Sequence, residues 1–305
     1  MKKLLPLLLV IGAVLVSGCG SIPQITTEED KIGTNGLIIT SFSSDASSIP
    51  AGDSIELLLE VKNVGGAEAT DAIVDLSGVY FGTGTLDWNC GGDEKTSGVK
   101  LTTPLLPPEQ GIPGDVDSNS WYCKSPSDIK SDTPYTFDVR MTYGYSTDVT
   151  GKLNFVDDDY WGSLSQDEKQ KLAGGVSFLS QSDGPLSIKL YSGSRTRPFV
   201  IYPGETTEEH TLRIIIQNVG SGKPVDHEVT IESLDLGGEL SLVKKEDCVK
   251  TVTLSRGKSA SVSCKVRHSN PQKILNRQDI TVKLHLTYKW FVDSSTDVTV
   301  EKPLT

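Results

Sequence analysis

The chain has 305 residues, of which 36% are hydrophobic, 7% aromatic and 23% charged, the composition of a globular protein and not of a disordered one. Its 29 lysines and arginines stand against 40 aspartates and glutamates, which gives a formal net charge of −11. This acidity argues against a nucleic-acid partner, because phosphate backbones would be repelled. The composition also excludes a coiled coil and a multi-span membrane protein.

The N-terminus has the pattern of an export signal. Lys2 and Lys3 precede an apolar run at 4–16, which is followed by small residues. The run of about 13 residues is short for a membrane span, which needs roughly 20. Residues 1–18 are therefore predicted to be a secretory signal peptide, and the polar residues 19–35 a flexible tether.

The residues Val16-Ser17-Gly18-Cys19 resemble the lipobox of prokaryotic lipoproteins. The resemblance implies cleavage before Cys19 and a diacylglycerol on its thiol. The protein would then be extracytoplasmic, with membrane lipid at the outer face of the cell membrane as its first partner. The alternatives are an ordinary secretory signal with a chance cysteine, or an uncleaved anchor.

From residue 36 onward the dominant hydrophobic period is two, which predicts half-buried antiparallel strands. Five segments alternate apolar and polar residues in this way: 54–62, 135–143, 210–217, 228–231 and 279–288. Many strands at short spacing favour a β-sandwich.

The two halves of the chain repeat one another in order, with insertions between the matched segments. The clearest matches are Glu60-Val-Lys-Asn-Val-Gly65 with Ile215-Ile-Gln-Asn-Val-Gly220, Met141-Thr-Tyr143 with Leu286-Thr-Tyr288, and Ser146-Thr-Asp-Val-Thr150 with Ser295-Thr-Asp-Val-Thr299. Asn-Val-Gly is interpreted as a turn that uses residues tolerant of positive φ. We predict β-sandwich domains at 36–156 and 186–305.

Residues 157–185 are predicted to link the two domains. Ser165 followed by Glu168 fits a capping box, which favours one short helix in this segment. Asp157, Asp158 and Asp159 at its start are either part of the linker or calcium ligands.

A Pro-Gly turn, a long alternating strand that closes on Asn-x-Gly, and a later Leu-x-Pro-x-Glu turn resemble immunoglobulin-like domains of the CARDB/APHP type. These domains are common in secreted and surface proteins of archaea and bacteria. The resemblance covers most of 36–156 and 186–305, although residues 254–258 lack the proline. It implies an all-β chain with two tandem sandwiches, and the whole pattern is that of a prokaryotic lipoprotein, of archaeal type.

The five cysteines divide into one plus two plus two. Cys19 lies in the lipobox, Cys90 and Cys123 in the first repeat, and Cys248 and Cys264 in the second. Because disulfides persist outside the cytoplasm, we predict Cys90–Cys123 and Cys248–Cys264 as one disulfide in each domain. Free thiols or metal ligands are the alternative.

Residues 102–117 are an insertion that the second repeat lacks, with Leu105, Leu106 and Ile112 placed among four prolines. These side chains are predicted either to form an exposed protein-binding patch or to close one end of the sandwich. At the end of this segment and just after it, Asp115, Asp117 and Asn119 alternate as oxygen ligands of a candidate calcium loop, with a solvated acidic turn as the alternative.

No catalytic motif was found, so the protein is predicted not to be an enzyme and to need no cofactor other than this candidate calcium ion. The four histidines all lie in the second repeat, which excludes a Ser-His-Asp triad within the first. The predicted function is a structural, adhesion or interaction module that binds an envelope or extracellular protein or glycan. A ligand- or carbohydrate-binding accessory lipoprotein and an anchoring subunit of a surface filament or secretion assembly are the alternatives.

Overall fold

The computed structural model describes residues 33–90, 96–204 and 209–303. The predicted signal peptide, Cys19 and most of the tether lie outside these ranges. The last residues of the predicted tether are described and belong to the fold, since Asn35 is buried and its side-chain oxygen accepts the Ser221 N–H at 2.9 Å.

The described chain consists mostly of strands. Those of the first repeat are Leu37–Ser44 (β1), Ser48–Pro50 (β2), Ser54–Asn63 (β3), Thr70–Ser77 (β4), Val99–Lys100 (β5), Val116–Lys124 (β6) and Thr133–Asp157 (β7). Two short α-helices follow, Asp158–Ser163 (α1) and Gln166–Lys171 (α2).

The strands of the second repeat are Val176–Gln181 (β8), Leu186–Ser192 (β9), Phe199–Ile201 (β10), Glu209–Asn218 (β11), Lys223–Pro224 (β12), Glu228–Leu236 (β13), Leu240–Leu242 (β14), Thr251–Thr253 (β15), Ser259–His268 (β16) and Arg277–Glu301 (β17). Single 3-10 turns occur at Ala173–Gly175, Val225–His227, Lys245–Asp247 and Pro271–Lys273.

Three sheets make up the fold. A three-stranded sheet has the order β1-β3-β6, and a four-stranded sheet has the order β14-β16-β11-β9. The third and largest sheet runs β15-β13-β17-β7-β4-β5, with β2, β8, β10 and β12 paired along its two central strands. The prediction of a mostly β chain with sandwich-like packing is therefore confirmed.

The two central strands, β7 and β17, pair antiparallel over almost their full length, from Thr133 opposite Val300 to Val156 opposite Arg277. Gly144 and Lys289 face each other at the middle of this ladder. On either side, Tyr143 pairs with Trp290 and Tyr145 with Tyr288. Because Tyr143 corresponds to Tyr288 in the repeat, the two halves are related by an approximate two-fold axis through this central pair.

Both smaller sheets cover the same face of the large sheet. Along β7 the alternate residues from Phe137 to Phe155 are buried, whereas most of those between them face solvent. The three-stranded sheet packs over the first half of β7. It also covers the end of β17 that carries Val298 and Val300. At the other end Phe155 of β7 stacks on Phe199 of the second repeat, with ring centroids 4.6 Å apart.

Each repeat thus completes the sandwich of the other, and the described residues form one compact unit. This arrangement replaces the predicted pair of separate domains with a linker at 157–185. The boundary between two domains could not be predicted correctly from the sequence repeats. A repeat in sequence does not show that the last strand of each repeat extends into the other half of the fold.

The segment between the repeats contains two helices of six residues, not one helix. The capping box is present, with Ser165 Oγ accepting from Glu168 N–H and the Glu168 carboxylate accepting from Ser165 N–H. Asp157 caps α1 by accepting from the N–H groups of Asp159 and Tyr160, so its carboxylate serves the helix start. Trp161 packs with Val156 and Val200, which places α1 against the end of the large sheet.

The Asn-Val-Gly motifs work through the asparagine side chain. Asn63 Nδ2 donates to the carbonyls of Ala67 and Leu105 at 2.9 and 2.8 Å, and its Oδ1 accepts from Gly65 N–H. Asn218 makes the same three bonds, to Gly222, Gly257 and Gly220. Asn63 and Gly65 do not have positive φ, so the prediction that the motif turns the chain through positive-φ residues was wrong. The asparagine side chain instead holds neighbouring turns together by hydrogen bonds, an arrangement called the Asn63 clamp and the Asn218 clamp below.

The cysteines follow the prediction in the first repeat and depart from it in the second. Cys90 and Cys123 form a disulfide. Cys248 and Cys264 are buried free thiols, which corrects the predicted second disulfide. Burial raises the pKa of both thiols, so each is held in the protonated form, which neither attacks disulfides nor binds metals readily.

Candidate functional site

The insertion of the first repeat forms a short hairpin at residues 105–115, here called the 105–115 hairpin. Leu105 pairs through its N–H and carbonyl with Ala69 on the body of the sandwich. Asp115 N–H then bonds the Leu106 carbonyl, and Glu109 and Ile112 bond each other in both directions near the tip. This ladder gives the hairpin a defined shape, although it contains prolines that donate no hydrogen bonds.

The base of the hairpin fits tightly against the Asn63 clamp. Gly114 lies so close that a Cβ at this position would collide with the Asn63 carbonyl oxygen. Asn63 itself is fully buried and holds the Leu105 carbonyl. The hairpin is therefore fixed to the sandwich at its root.

The structure divides the three predicted interaction residues between the two alternatives. Leu105 is 3% exposed and closes the end of the sandwich, whereas Leu106 is 51% and Ile112 65% exposed. Val116, at the start of β6, is a further exposed apolar residue that the sequence reading did not single out. The exposed apolar side chains of Leu106 and Ile112 on the hairpin, with Val116 at its foot, are here called the apolar patch.

The candidate calcium ligands serve the hairpin. Asp115 Oδ2 accepts from Leu106 N–H at 2.9 Å, and Asp117 Oδ2 accepts from Thr102 N–H at 2.7 Å. Asn119 Nδ2 lies 3.4 Å from the Ser120 carbonyl. Over the described ranges no group of three or more His, Cys, Asp or Glu side chains is arranged to hold a metal ion. The two carboxylates thus anchor the loop.

A cluster of three buried tyrosines lies at the two-fold centre, beneath the large sheet. Tyr143 and Tyr145 pack edge to face with centroids 5.8 Å apart, and Tyr288 lies 6.1 Å from Tyr145. Tyr145 Oη accepts from Ala67 N–H at 3.0 Å, and Tyr288 Oη bonds Thr147 Oγ1 at 2.8 Å. Burial raises the pKa of all three hydroxyls, that of Tyr145 to about 12.

These tyrosines should make the fold sensitive to alkali. An unfolded tyrosine ionises near pH 10, so folding stability from Tyr145 is fully present below about pH 10 and is lost as the pH rises through about 12. A rise of the Tyr145 pKa from 10 to about 12 corresponds to roughly 2–3 kcal/mol of stability. We expect the free energy of unfolding, measured in denaturant between pH 8 and 12, to fall steeply above pH 10.

Tyr145→Phe should lower stability at pH 8, because Ala67 N–H loses its acceptor, but it should flatten the alkaline loss. Tyr80→Phe is the control, since Tyr80 is 78% exposed. An equal flattening by both variants would contradict the assignment to the buried cluster.

On the opposite, solvent-facing side of the large sheet, the same centre forms an open depression of about 590 Å³. Gly144 has no side chain to fill the depression, and a Cβ at this position would lie only 2.6 Å from Thr70 Oγ1. Hydroxyl and acidic side chains of both repeats surround it, including Thr70, Glu228 and Thr287. Sequence reasoning missed this site because its residues are scattered over both repeats and come together only through the β7–β17 pairing.

The histidines occupy two environments. His285 is partly exposed, with Nδ1 2.7 Å from Asp148 Oδ1 beside the depression. His210 and His268 are buried on either side of the Phe155 ring, at 5.5 and 5.7 Å between centroids.

Among the described residues no helix is long and apolar enough to cross a membrane.

No protein-family model matches the chain, and no curated protein matches it in sequence. Among solved structures it is similar to the D0-D1 domain of intimin, at 13% identity and a TM-score of 0.19 over 86% of this chain and 98% of that one. It is also similar to the collagen adhesin CNA from S. aureus, at 10% identity and a TM-score of 0.15 over 89% and 94% of the two chains. A Salmonella alpha-2-macroglobulin mutant, with a TM-score of 0.20 and 10% identity, is matched over 89% of this chain but only 16% of its own length. Likenesses at these TM-scores carry no argument on fold or function.

Proposed function

We propose that this protein is a non-catalytic, lipid-anchored surface protein whose immunoglobulin-like sandwiches present an interaction module. The apolar patch on the 105–115 hairpin carries the proposal. Leu106 and Ile112 are more than half exposed on a loop whose backbone is hydrogen-bonded internally and fixed at Asn63. A rigid apolar projection loses little conformational entropy on binding, which suits it to contact a protein or glycan partner.

The proposed partner contact is apolar at its centre and polar at its rim. Glu109 and Gln110 at the tip are exposed beside Ile112, the composition expected around a binding patch. Burying two large aliphatic side chains contributes about 1.5–3 kcal/mol each, which is enough to dominate a small interface.

The experiment compares capture of partners from intact envelopes by the native protein and by the Leu106→Ser/Ile112→Ser variant. We expect at least about a tenfold loss of the captured partner, with unchanged thermal unfolding. Leu86→Ser/Leu275→Ser is the matched control, because these leucines are 65% and 82% exposed elsewhere on the protein.

Equal capture by the hairpin variant and the native protein would contradict the proposed role of the patch, as would an equal loss in the control. Mass spectrometry of the same native material should find acyl groups on Cys19. An intact segment 1–18 would contradict the lipid anchor while leaving the test of the hairpin unaffected.

One observation favours a ligand-binding accessory role as second candidate. The depression at the two-fold centre is open, and hydroxyl groups of Thr70, Ser146, Thr230 and Thr287 line it. Such a surface fits a polar ligand such as a carbohydrate. The tyrosine rings at this centre are buried, however, so it lacks the exposed aromatic platform on which a sugar ring would stack.

A further inference from the structure

The second repeat has a cleft of about 570 Å³ where the first repeat has its hairpin. The cleft lies between the turn that follows β11 and the turn that precedes β16. Asn218 holds these two turns together, since its Nδ2 donates to the Gly222 and Gly257 carbonyls at 2.9 and 3.0 Å. The two turns that form the walls of the cleft are therefore held in place by an asparagine equivalent to the one that fixes the hairpin in the first repeat.

Of the described residues that line this cleft, three are cationic and none is acidic. Lys223, Arg256 and Lys258 are all exposed at its rim. Among the described residues, none of the three side chains has an ion pair or hydrogen bond to occupy it. In a chain with a net charge of −11, such a grouping of unpaired positive charge is conspicuous, and it concentrates anions locally.

The first repeat places opposite charges at the matching positions. Glu68 corresponds to Lys223, because each comes directly after the residue whose carbonyl accepts from the asparagine side chain, Ala67 or Gly222. Asp115 corresponds to Lys258. The Asp115 carbonyl accepts from Asn63 N–H at 2.9 Å, and the Lys258 carbonyl accepts from Asn218 N–H at 2.8 Å. One scaffold therefore carries carboxylates and a covering hairpin in one copy, and ammonium groups and an open cleft in the other.

The backbone at Arg256 supports a role beyond the fold. Its φ is 52°, in the left-handed region that residues other than glycine, asparagine and aspartate rarely adopt. Gly257 next to it has φ 68°, and its N–H bonds the Leu254 carbonyl at 2.9 Å, which closes the turn. A glycine at 256 would suit this turn better, so the arginine is kept at a conformational cost of the kind found at binding sites.

We infer that this cleft, formed by Lys223, Arg256 and Lys258 on the Asn218 clamp, is a binding site for a phosphate group. A guanidinium can bind two phosphate oxygens at once, and the two ammonium groups add positive charge beside it. The ligand is either a free phosphate or phosphate monoester, or the phosphodiester of a lipid headgroup. This site is distinct from the apolar patch and does not depend on the proposed function.

The test is a calorimetric titration of the full-length protein at constant ionic strength. Inorganic phosphate and glycerophosphoglycerol, the soluble headgroup diester of phosphatidylglycerol, are the two probes. We expect saturable binding of at least one of them. Tighter binding of inorganic phosphate identifies a free phosphate ligand, tighter binding of the diester identifies a lipid headgroup, and both results support the site.

Two variants locate the binding. Arg256→Gly/Lys258→Gln should weaken it at least about tenfold. Since glycine relieves the left-handed backbone, thermal stability should be kept or raised, which separates lost binding from lost folding. Lys152→Gln/Lys283→Gln, with the same change in net charge on the exposed face of the large sheet, should leave affinity unchanged.

Absence of saturable binding for both probes would overturn the inference. Equal weakening in the control variant would also overturn it, because the interaction would then reflect overall charge and not the cleft.

Discussion

Val298→Asp in the last strand of the chain is expected to destabilise the whole fold, because it places a carboxylate in the core of the first sandwich. Val298 belongs by sequence to the second repeat, yet it is fully buried and pairs with Tyr135 of β7. An unpaired carboxylate at this position should lower the free energy of unfolding by about 3–5 kcal/mol. Urea unfolding followed by tryptophan fluorescence measures this, because Trp88 and Trp121 lie in the first sandwich.

The matched control is Val116→Asp, which makes the same chemical change at a residue that is 53% exposed. It should change stability by less than about 0.5 kcal/mol. Since the two halves share β7 and β17, both native protein and variants should unfold in one transition. A separate, unperturbed transition for the first sandwich in Val298→Asp would contradict the shared core.

Asn63→Ala is expected to cost about 3 kcal/mol, the second largest effect. The change removes three hydrogen bonds at a buried side chain. The Ala67 carbonyl loses its side-chain donor, Gly65 N–H loses its acceptor, and the Leu105 carbonyl keeps only its bond from Ala69 N–H. Asn218→Ala removes the equivalent three bonds, but Asn218 is only half-buried, and water can replace part of them. Its cost should therefore be smaller, about 1–2 kcal/mol.

Denaturant unfolding of both variants checks this order, with the exposed Asn270→Ala as control. The bonds of Asn270 are made by its backbone, whose N–H donates to His268 Nδ1 at 3.1 Å and whose carbonyl accepts from Lys273 N–H at 3.1 Å, so its side chain can be removed at little cost. A control as destabilising as Asn63→Ala would show that the asparagine clamp has no special role.

The sequence allowed the strands and the repeat to be predicted, because period-two alternation reports which face of a strand is buried. Segments 54–62 and 279–288 lie within β3 and β17 as expected. It could not show that β17 continues past Tyr288 into the other half. That pairing depends on which repeat supplies the neighbouring strand, and the alternation is the same in either case.

The candidate sites were predicted unevenly for a similar reason. Composition identified the loop that carries Leu105, Leu106 and Ile112, but it could not show which of the three is exposed. Leu105 is buried because its backbone pairs with Ala69, whereas the other two side chains face solvent. Lys223, Arg256 and Lys258 were not predicted as a site, since Lys223 is distant in sequence from the other two and is brought beside them by the Asn218 clamp. The thiols of Cys248 and Cys264 show the limit of pairing cysteines by repeat position.

The exchange of strand ends has a consequence for how such a molecule is assembled. A polypeptide with only one repeat would lack the strand end that fills its own core, so it would need a second copy and would fold as a symmetric homodimer. Joining both repeats through the short segment with α1 and α2 makes that encounter intramolecular. The tandem chain therefore folds independently of its own concentration.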